Sequence, residues 1–380
     1  MPTIFIPRET TPGETRVAAS PETIKRYVAS GLTVQVEAGA GLQAGLTDAM
    51  FQAAGASIVG REAWSKAAVV IKVAPPEPAE IDALAPESVL VAYAWTSSHA
   101  SAVRRLAERR ISMLAMDLIP RITRAQAMDA LSSQAMIAGY KAVLLGASHM
   151  TKLCPMLMTA AGTIAPAKVV VFGAGVAGLM AIATAKRLGA QVEATDVRAA
   201  SKEQVLSLGA RFIEVPGLAD MEGAGGYAKE AGEDVLRRQR EEVSKRVAEA
   251  DLVVTTARVP GKKAPLLVNE AMVKSMRPGS VIVDMAVESG GNCELSVEGE
   301  TVVRHGVTIV GTRNLPASVP LHASELYAKN VLNLVKLFVG KDGAIARDFK
   351  DEVLAGCLLT HGGEIVHKAT AEALSAGAKA

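Results

Sequence analysis

An α/β protein with two doubly wound parallel-sheet domains is what the sequence predicts, and three observations predict it. Short β-branched runs alternate with helical patterns over the first 130 residues, as expected for mostly parallel sheets with helices on both faces. Lys168 to Arg198 then reads strand, glycine turn, helix, strand and acid in that order. After the last strand, Ser324 to Leu337 forms an amphipathic pattern with apolar Leu326, Val331, Leu334 and Val335, and helices so placed often return to the first domain. The expected organisation is a discontinuous flavodoxin-like or Rossmann-like first domain, residues 1–131 plus 321–380, with a Rossmann domain, residues 132–320, inserted in it.

In the first domain, Thr3 to Pro7 reads as a strand. Ser20 caps a helix with Pro21 at its first position and Gly31 as its stop. Further strands are expected at Thr33 to Glu37, Ala67 to Val73, Ser88 to Tyr93 and Ser112 to Asp117. Gly39, Gly41 and Gly45 follow the second of these strands in the chain, but their spacing is G-x-G-x-x-x-G and no acid-tipped strand follows, so they read as an ordinary turn. The proline-rich run Pro75 to Glu80 reads as a surface loop. Arg121 to Tyr140 is a change of character to polar residues at close spacing, with a hairpin expected around Arg121 to Ser132, and Met158 to Ala167 reads as a bland connector.

The inserted domain opens on Val169 to Phe172, which fits a buried parallel strand. Gly173, Gly175 and Gly178 then give G-x-G-x-x-G. The first glycine permits the tight turn, the second lets a pyrophosphate approach the backbone, and the third lets the helix pack closely on the strand. A second strand, Gln191 to Thr195, delivers Asp196, where a carboxylate accepts hydrogen bonds from NAD ribose hydroxyls and repels the 2′-phosphate of NADP. Later strands are expected at Phe212 to Val215, Asp251 to Thr256, Ser280 to Ala286 and Val307 to Gly311. Between the first two lies Pro216 to Glu233, whose glycines make a poor core and a good mobile loop.

Composition narrows the function classes. Acids and bases nearly balance at a formal charge of +2 and aromatics are 3%, so neither a basic footprint nor a stacking surface for nucleic acid is indicated. Cys154, Cys293 and Cys357 are widely separated with no C-x-x-C pair, which reads as reduced thiols and no metal site. Neither an export signal nor a membrane-spanning helix is expected: Val169 to Ala185 lacks charge but splits into strand and helix.

Several separated stretches together resemble one family: PGETRVAASPETIKR, PRITRAQAMDALSSQ, the glycine fingerprint with ATDVRAASKEQV, AGGYAKE, TTARVPGKKAP and VDMAVESGGNCE. The chain resembles the NAD(H)-binding component of proton-translocating nicotinamide nucleotide transhydrogenase, over nearly its whole length, with alanine dehydrogenase as a two-domain relative. The resemblance implies that Arg121, Gln126, Asp129 and Ser132 surround the nicotinamide and its ribose as the catalytic set. It implies cofactor contacts from Gly173, Gly175, Val176, Gly178, Asp196, Val197 and Arg198, from Gly226 and Tyr227 on a mobile loop, and from Arg258. Arg198 fits either a 2′-phosphate or the adenine. The implied partners are an NADP(H)-binding subunit or domain and a membrane-spanning proton-channel subunit, with a homodimer of this chain held peripherally at the cytoplasmic face of the inner membrane.

The same stretches bear on reaction type. An amino-acid dehydrogenase needs cations for a carboxylate and a general acid or base. Arg16 and Lys72 match its substrate-binding positions, but Ala94 and Trp95 stand where its pattern has histidine, with His99 four residues on, and Glu288 stands where it has aspartate. Hydride exchange between two nicotinamides needs no acid or base.

Overall fold

The computed structural model describes residues 2–198, 200–214, 233–258, 262–340 and 342–377 of the 380-residue chain. The strands among them are, in chain order, β1 (Thr3–Ile6), β2 (Thr33–Glu37), β3 (Ser57–Val59), β4 (Val69–Ile71), β5 (Val89–Ala92), β6 (Ser112–Ala115), β7 (Leu157–Thr159), β8 (Gly162–Ile164), β9 (Lys168–Phe172), β10 (Gln191–Thr195), β11 (Arg211–Phe212), β12 (Leu252–Thr255), β13 (Val281–Asp284), β14 (Thr301–Arg304), β15 (Val307–Val310), β16 (Leu358–His361) and β17 (Glu364–Ile365). The chain divides into two compact units, Met1–Gln134 with Ala317–Ala380, and Ala135–Pro316. Both are α/β with mainly parallel sheets. Among the described residues no helix is long and apolar enough to cross a membrane.

The first unit is built on an eight-stranded sheet of order β17-β16-β6-β5-β4-β1-β2-β3. Its six parallel strands read 3-2-1-4-5-6, the doubly wound order, with the reversal between β1 and β4. Strands β1, β4 and β5 are apolar on both faces, as burial under helices requires. Ser20 caps the helix Pro21–Ala29 with a capping box to Thr23. Strands β3, β16 and β17 escape a reading from sequence because each is short and two of them pair antiparallel at an edge.

Two local readings of this unit change. The run Pro75 to Glu80 is not a loop throughout: Pro78 starts the helix Pro78–Ala83, and Glu80 is buried beneath it because it pairs with Lys72. The segment Arg121 to Ser132 is not a hairpin either. It is a six-residue 3-10 helix, Thr123–Met128, leading into the 20-residue helix Ala130–His149.

The second unit carries a seven-stranded sheet of order β11-β10-β9-β12-β13-β15-β14, parallel except for β14. The six strands of the Rossmann reading again run 3-2-1-4-5-6, with β14 added antiparallel at the edge. The reversal falls between β9 and β12, with β10 on the other side of β9. Residues read as a connector instead form the small antiparallel hairpin β7–β8, which leaves Leu157, Met158 and Ile164 exposed.

Candidate nucleotide site

The carboxyl ends of β9, β10 and β12 meet at the strand-order reversal of the second unit, the place where a doubly wound sheet binds its ligand. Gly173 turns the chain there at φ +91, a left-handed conformation that side chains rarely adopt, and a Cβ on it would come 2.6 Å from Thr256 Oγ1. A Cβ on Gly178 would fall 1.8 Å from the Gly173 carbonyl oxygen, so the helix Val176–Arg187 packs onto the turn only because glycine is present. Gly175 differs. It is the N-cap of that helix, has ordinary backbone angles, and its Cβ would meet only Arg198 Nη2 at 3.9 Å. That openness lies at the amino terminus of a twelve-residue helix, where an unpaired N–H array and the helix dipole favour an anion. Val176, the first residue of the helix, is 45% exposed.

Asp196 follows β10 and is nearly buried. Its Oδ2 accepts the Ala174 N–H at 2.7 Å, and its Oδ1 accepts the Arg198 N–H at 2.9 Å. Arg198 also forks the carboxylate, Nε to Oδ1 and Nη2 to Oδ2, both at 2.9 Å. Burial alone would raise the carboxyl pKa, but the guanidinium and the two amides outweigh it and hold the group below its ordinary value. Val197 and Arg198 are half-buried. Arg258 is exposed just beyond β12. Gly226 and Tyr227 lie outside the described residues.

The β12 side is held by a network that reading the sequence does not reveal. Thr256 Oγ1 donates to the Phe172 and Gly173 carbonyls at 2.9 and 3.3 Å, locking the end of β12 to the glycine turn. Asp284, 1% exposed, accepts from Thr255 Oγ1, Ala286 N, Asn292 N, Cys293 N and Ser296 Oγ. Asn292, fully buried, clamps Ala257 at both backbone groups and reaches Pro265 as well. The signal present in the sequence is the acid and the amide at the two ends of VDMAVESGGNCE, rather than Glu288 between them. That residue is exposed.

In the first unit the four residues of the polar segment divide. Asp129 and Ser132 are joined: Asp129 Oδ1 accepts the Ser132 N–H at 2.9 Å and Oδ2 accepts the Ser132 hydroxyl at 2.6 Å. Asp129 therefore caps the helix Ala130–His149. Arg121 and Gln126 are exposed on the segment before it. The return helix Pro320–Val335 anchors this segment: Asn330 Nδ2 donates to the Ala127 carbonyl, Ser133 Oγ to Asn330 Oδ1, and Gln134 Nε2 to the Ala323 carbonyl.

The strand-order reversal of the first unit, beyond β1 and β4, is filled by the chain's own charges. Lys72 Nζ lies 2.7 Å from Glu80 and 3.4 Å from Glu9, all three buried. Glu9 also accepts the Val73 and Ala74 N–H groups. Burial pushes the Glu9 carboxyl up to about 7 despite the lysine beside it. Burial works to lower the Lys72 pKa, but the two carboxylates prevail and hold it above its ordinary value. Arg16 is forked by Glu14 at 2.7 and 2.6 Å and donates to Gln134. Both cations of the dehydrogenase pattern are thus committed inside the protein. In place of its histidine, the Ala94 and Trp95 N–H groups bind Asp117, Trp95 stacks on Tyr93, and the His99 ring lies against the Trp95 carbonyl.

Comparison with known proteins agrees across the whole chain. The descriptions "Alanine dehydrogenase/PNT, N-terminal domain" and "Alanine dehydrogenase/PNT, C-terminal domain" match residues 5–138 and 142–368. A protein of Rhodospirillum rubrum, named as the first portion of NAD(P) transhydrogenase subunit alpha, is 50% identical over 376 residues, covering 96% of this chain and 98% of that one. The solved structure of a transhydrogenase from Sinorhizobium meliloti superposes with a TM-score of 0.88 at 43% identity, covering 96% of this chain and all of that one. An L-alanine dehydrogenase structure, at 28% identity and 98% and 99% coverage, gives 0.82. The chain belongs to the alanine dehydrogenase/PNT family, on the side of its transhydrogenase alpha subunits.

Proposed function

We propose that this chain is the NAD(H)-binding subunit of a proton-translocating transhydrogenase. Hydride passes directly between NAD(H) held here and NADP(H) held by a partner subunit, while a separate membrane-spanning subunit couples the exchange to proton movement. The observation that carries this reading is the 50% identity, over nearly both full lengths, to a protein named as a transhydrogenase alpha subunit.

The site residues fit NAD(H). Gly175 leaves the backbone open to a pyrophosphate. Asp196 stands at the end of β10 with a charge that suits ribose hydroxyls and opposes a 2′-phosphate. The nicotinamide supplies the hydride-carrying carbon. Asp129, held by the Ser132 hydroxyl, offers a carboxylate acceptor to a carboxamide N–H, Gln126 offers both a donor and an acceptor, and Arg121 supplies a cation that steadies the ring. Gly226, Tyr227 and Arg258 complete the cofactor contacts. The chain works as a homodimer on the cytoplasmic face of the inner membrane, bound there through its partners.

No general acid or base is required of this chain, and the commitment of Arg16 and Lys72 to internal carboxylates is consistent with that. The test is a purified chain offered NADH, then an NADP(H)-loaded partner, then alanine with NAD. Tight NADH binding, hydride exchange only with the partner and no alanine oxidation are expected. Alanine-dependent NAD reduction at an enzyme-like rate would overturn the assignment.

A further inference from the structure

The geometry points to Asn292 as a positioning residue for the nicotinamide half of the bound dinucleotide. Asn292 acts in this way only if the chain binds NAD(H) as proposed above. Two facts of topology set the stage. Strand β9 lies between β10 and β12, and a dinucleotide laid across the reversal of strand order places one half over each side. Asp196 marks the β10 side as the adenosine half, because its carboxylate meets that ribose. The segment Thr256 to Arg258, beyond β12, therefore lies under the other half.

What holds that segment in place is a side chain far along the sequence. Asn292 Nδ2 donates to the Ala257 carbonyl at 2.9 Å and to the Pro265 carbonyl at 2.8 Å, and its Oδ1 accepts the Ala257 N–H at 3.1 Å. One amide thus satisfies both backbone groups of Ala257, as a neighbouring strand would. Its own backbone is pinned in turn. The Asn292 N–H donates to Asp284 Oδ2 at 2.9 Å, and its carbonyl accepts the Leu267 and Val268 N–H groups at 2.8 and 2.9 Å. Asp284 also accepts the Thr255 hydroxyl at 3.1 Å. The chain before and after Ala257 is therefore referred to one carboxylate. With Asn292 and Asp284 almost wholly buried, loss of the Asn292 amide leaves the half-buried Ala257 without either of these bonds, and the segment shifts to recover them from solvent or from other groups.

A clamp of this kind predicts a selective loss. Affinity for NADH and for ADP is compared in the intact chain and in Asn292→Leu, which keeps the approximate volume and removes the three bonds. Displacement of Thr256 to Arg258 weakens NADH by roughly tenfold or more. ADP, which reaches only the glycine turn and Asp196, stays within about twofold. Should Asn292→Leu fail to fold, Asn292→Ser keeps one hydroxyl for one of the bonds and carries the same comparison. Unchanged NADH affinity with a lowered melting temperature would reduce Asn292 to a structural clamp, and parallel losses for NADH and ADP would mean general loosening. Either result overturns the assignment. Failure of the unaltered chain to bind NADH or ADP would instead remove the NAD(H) reading on which it rests.

Discussion

Arg198 grips Asp196 side-on through one guanidinium edge, Nε and Nη2 each at 2.9 Å from a different carboxylate oxygen. The acid expected to choose the nucleotide is therefore partly neutralised by its neighbour two residues on. Arg198→Ala leaves the carboxylate with its full charge, so discrimination against NADPH is expected to widen severalfold. Asp196→Asn removes the charge and frees the guanidinium for a phosphate, narrowing discrimination by about tenfold or more. Paired titrations with NADH and NADPH measure both. A narrower preference in Arg198→Ala would mean that the arginine, not the acid, rejects NADPH.

The fingerprint glycines should separate fold from binding. A methyl on Gly178 collides with the Gly173 carbonyl, so Gly178→Ala is expected to destabilise by about 2 kcal/mol or more and to abolish NADH binding. Gly175→Ala has room for its methyl and should keep the melting temperature within a few degrees while weakening NADH at least about tenfold. Thermal denaturation beside NADH titration distinguishes the two. Equal destabilisation would show that the openness at Gly175 belongs to the turn alone.

For Asp129, capping and chemistry can be told apart. Asparagine caps helices as well as aspartate, so Asp129→Asn should change stability by less than about 0.5 kcal/mol. Hydride transfer with a loaded partner should nevertheless fall by about a hundredfold, with NADH affinity changed only modestly. Gln126→Ala is expected to behave likewise, with a smaller loss. Rate and affinity falling together would make both residues plain binding groups.

Glu9 predicts a pH dependence of stability. The folded protein keeps a proton at Glu9 up to about 7, whereas the unfolded chain has released it above the ordinary 4.5. Between these values the folded state binds more protons, so unfolding free energy falls as pH rises, by on the order of 3 kcal/mol from this group. Urea denaturation from about pH 5 to about pH 8 should show that fall in the native protein and a flatter profile in Glu9→Gln. Parallel profiles would place the proton elsewhere.

How far the sequence could be read depended on whether a feature is local. The strand, glycine turn, helix and acid from Lys168 to Asp196 are set by neighbours in the chain, and the structure has each of them. Glu80 misleads because its burial is caused by Lys72, eight residues away and itself buried, so a run that looks solvent-loving forms a helix over an ion pair. Asn292 stands in a recognisable stretch, VDMAVESGGNCE, but its role does not show for the same reason: its partner Ala257 is 35 residues earlier, and nothing in either segment announces the pairing. The polar segment at Arg121 to Ser132 stands out by composition, but its turn-and-helix shape depends on Asn330 and Gln134, which bond across the unit.

The return helix Pro320–Val335 also imposes an order of events during synthesis. The unit Ala135–Pro316 is continuous and emerges whole from the ribosome, so it can fold as soon as it is made. The other unit cannot: Ala127, Ser133 and Gln134 wait for Ala323 and Asn330, which are translated only after the whole of the inserted unit. Until then its sheet faces solvent without the Tyr327, Val331 and Leu334 side chains that complete its core. The residues translated before the inserted unit are thus among the last to settle, and they are the ones a chaperone would be needed to guard.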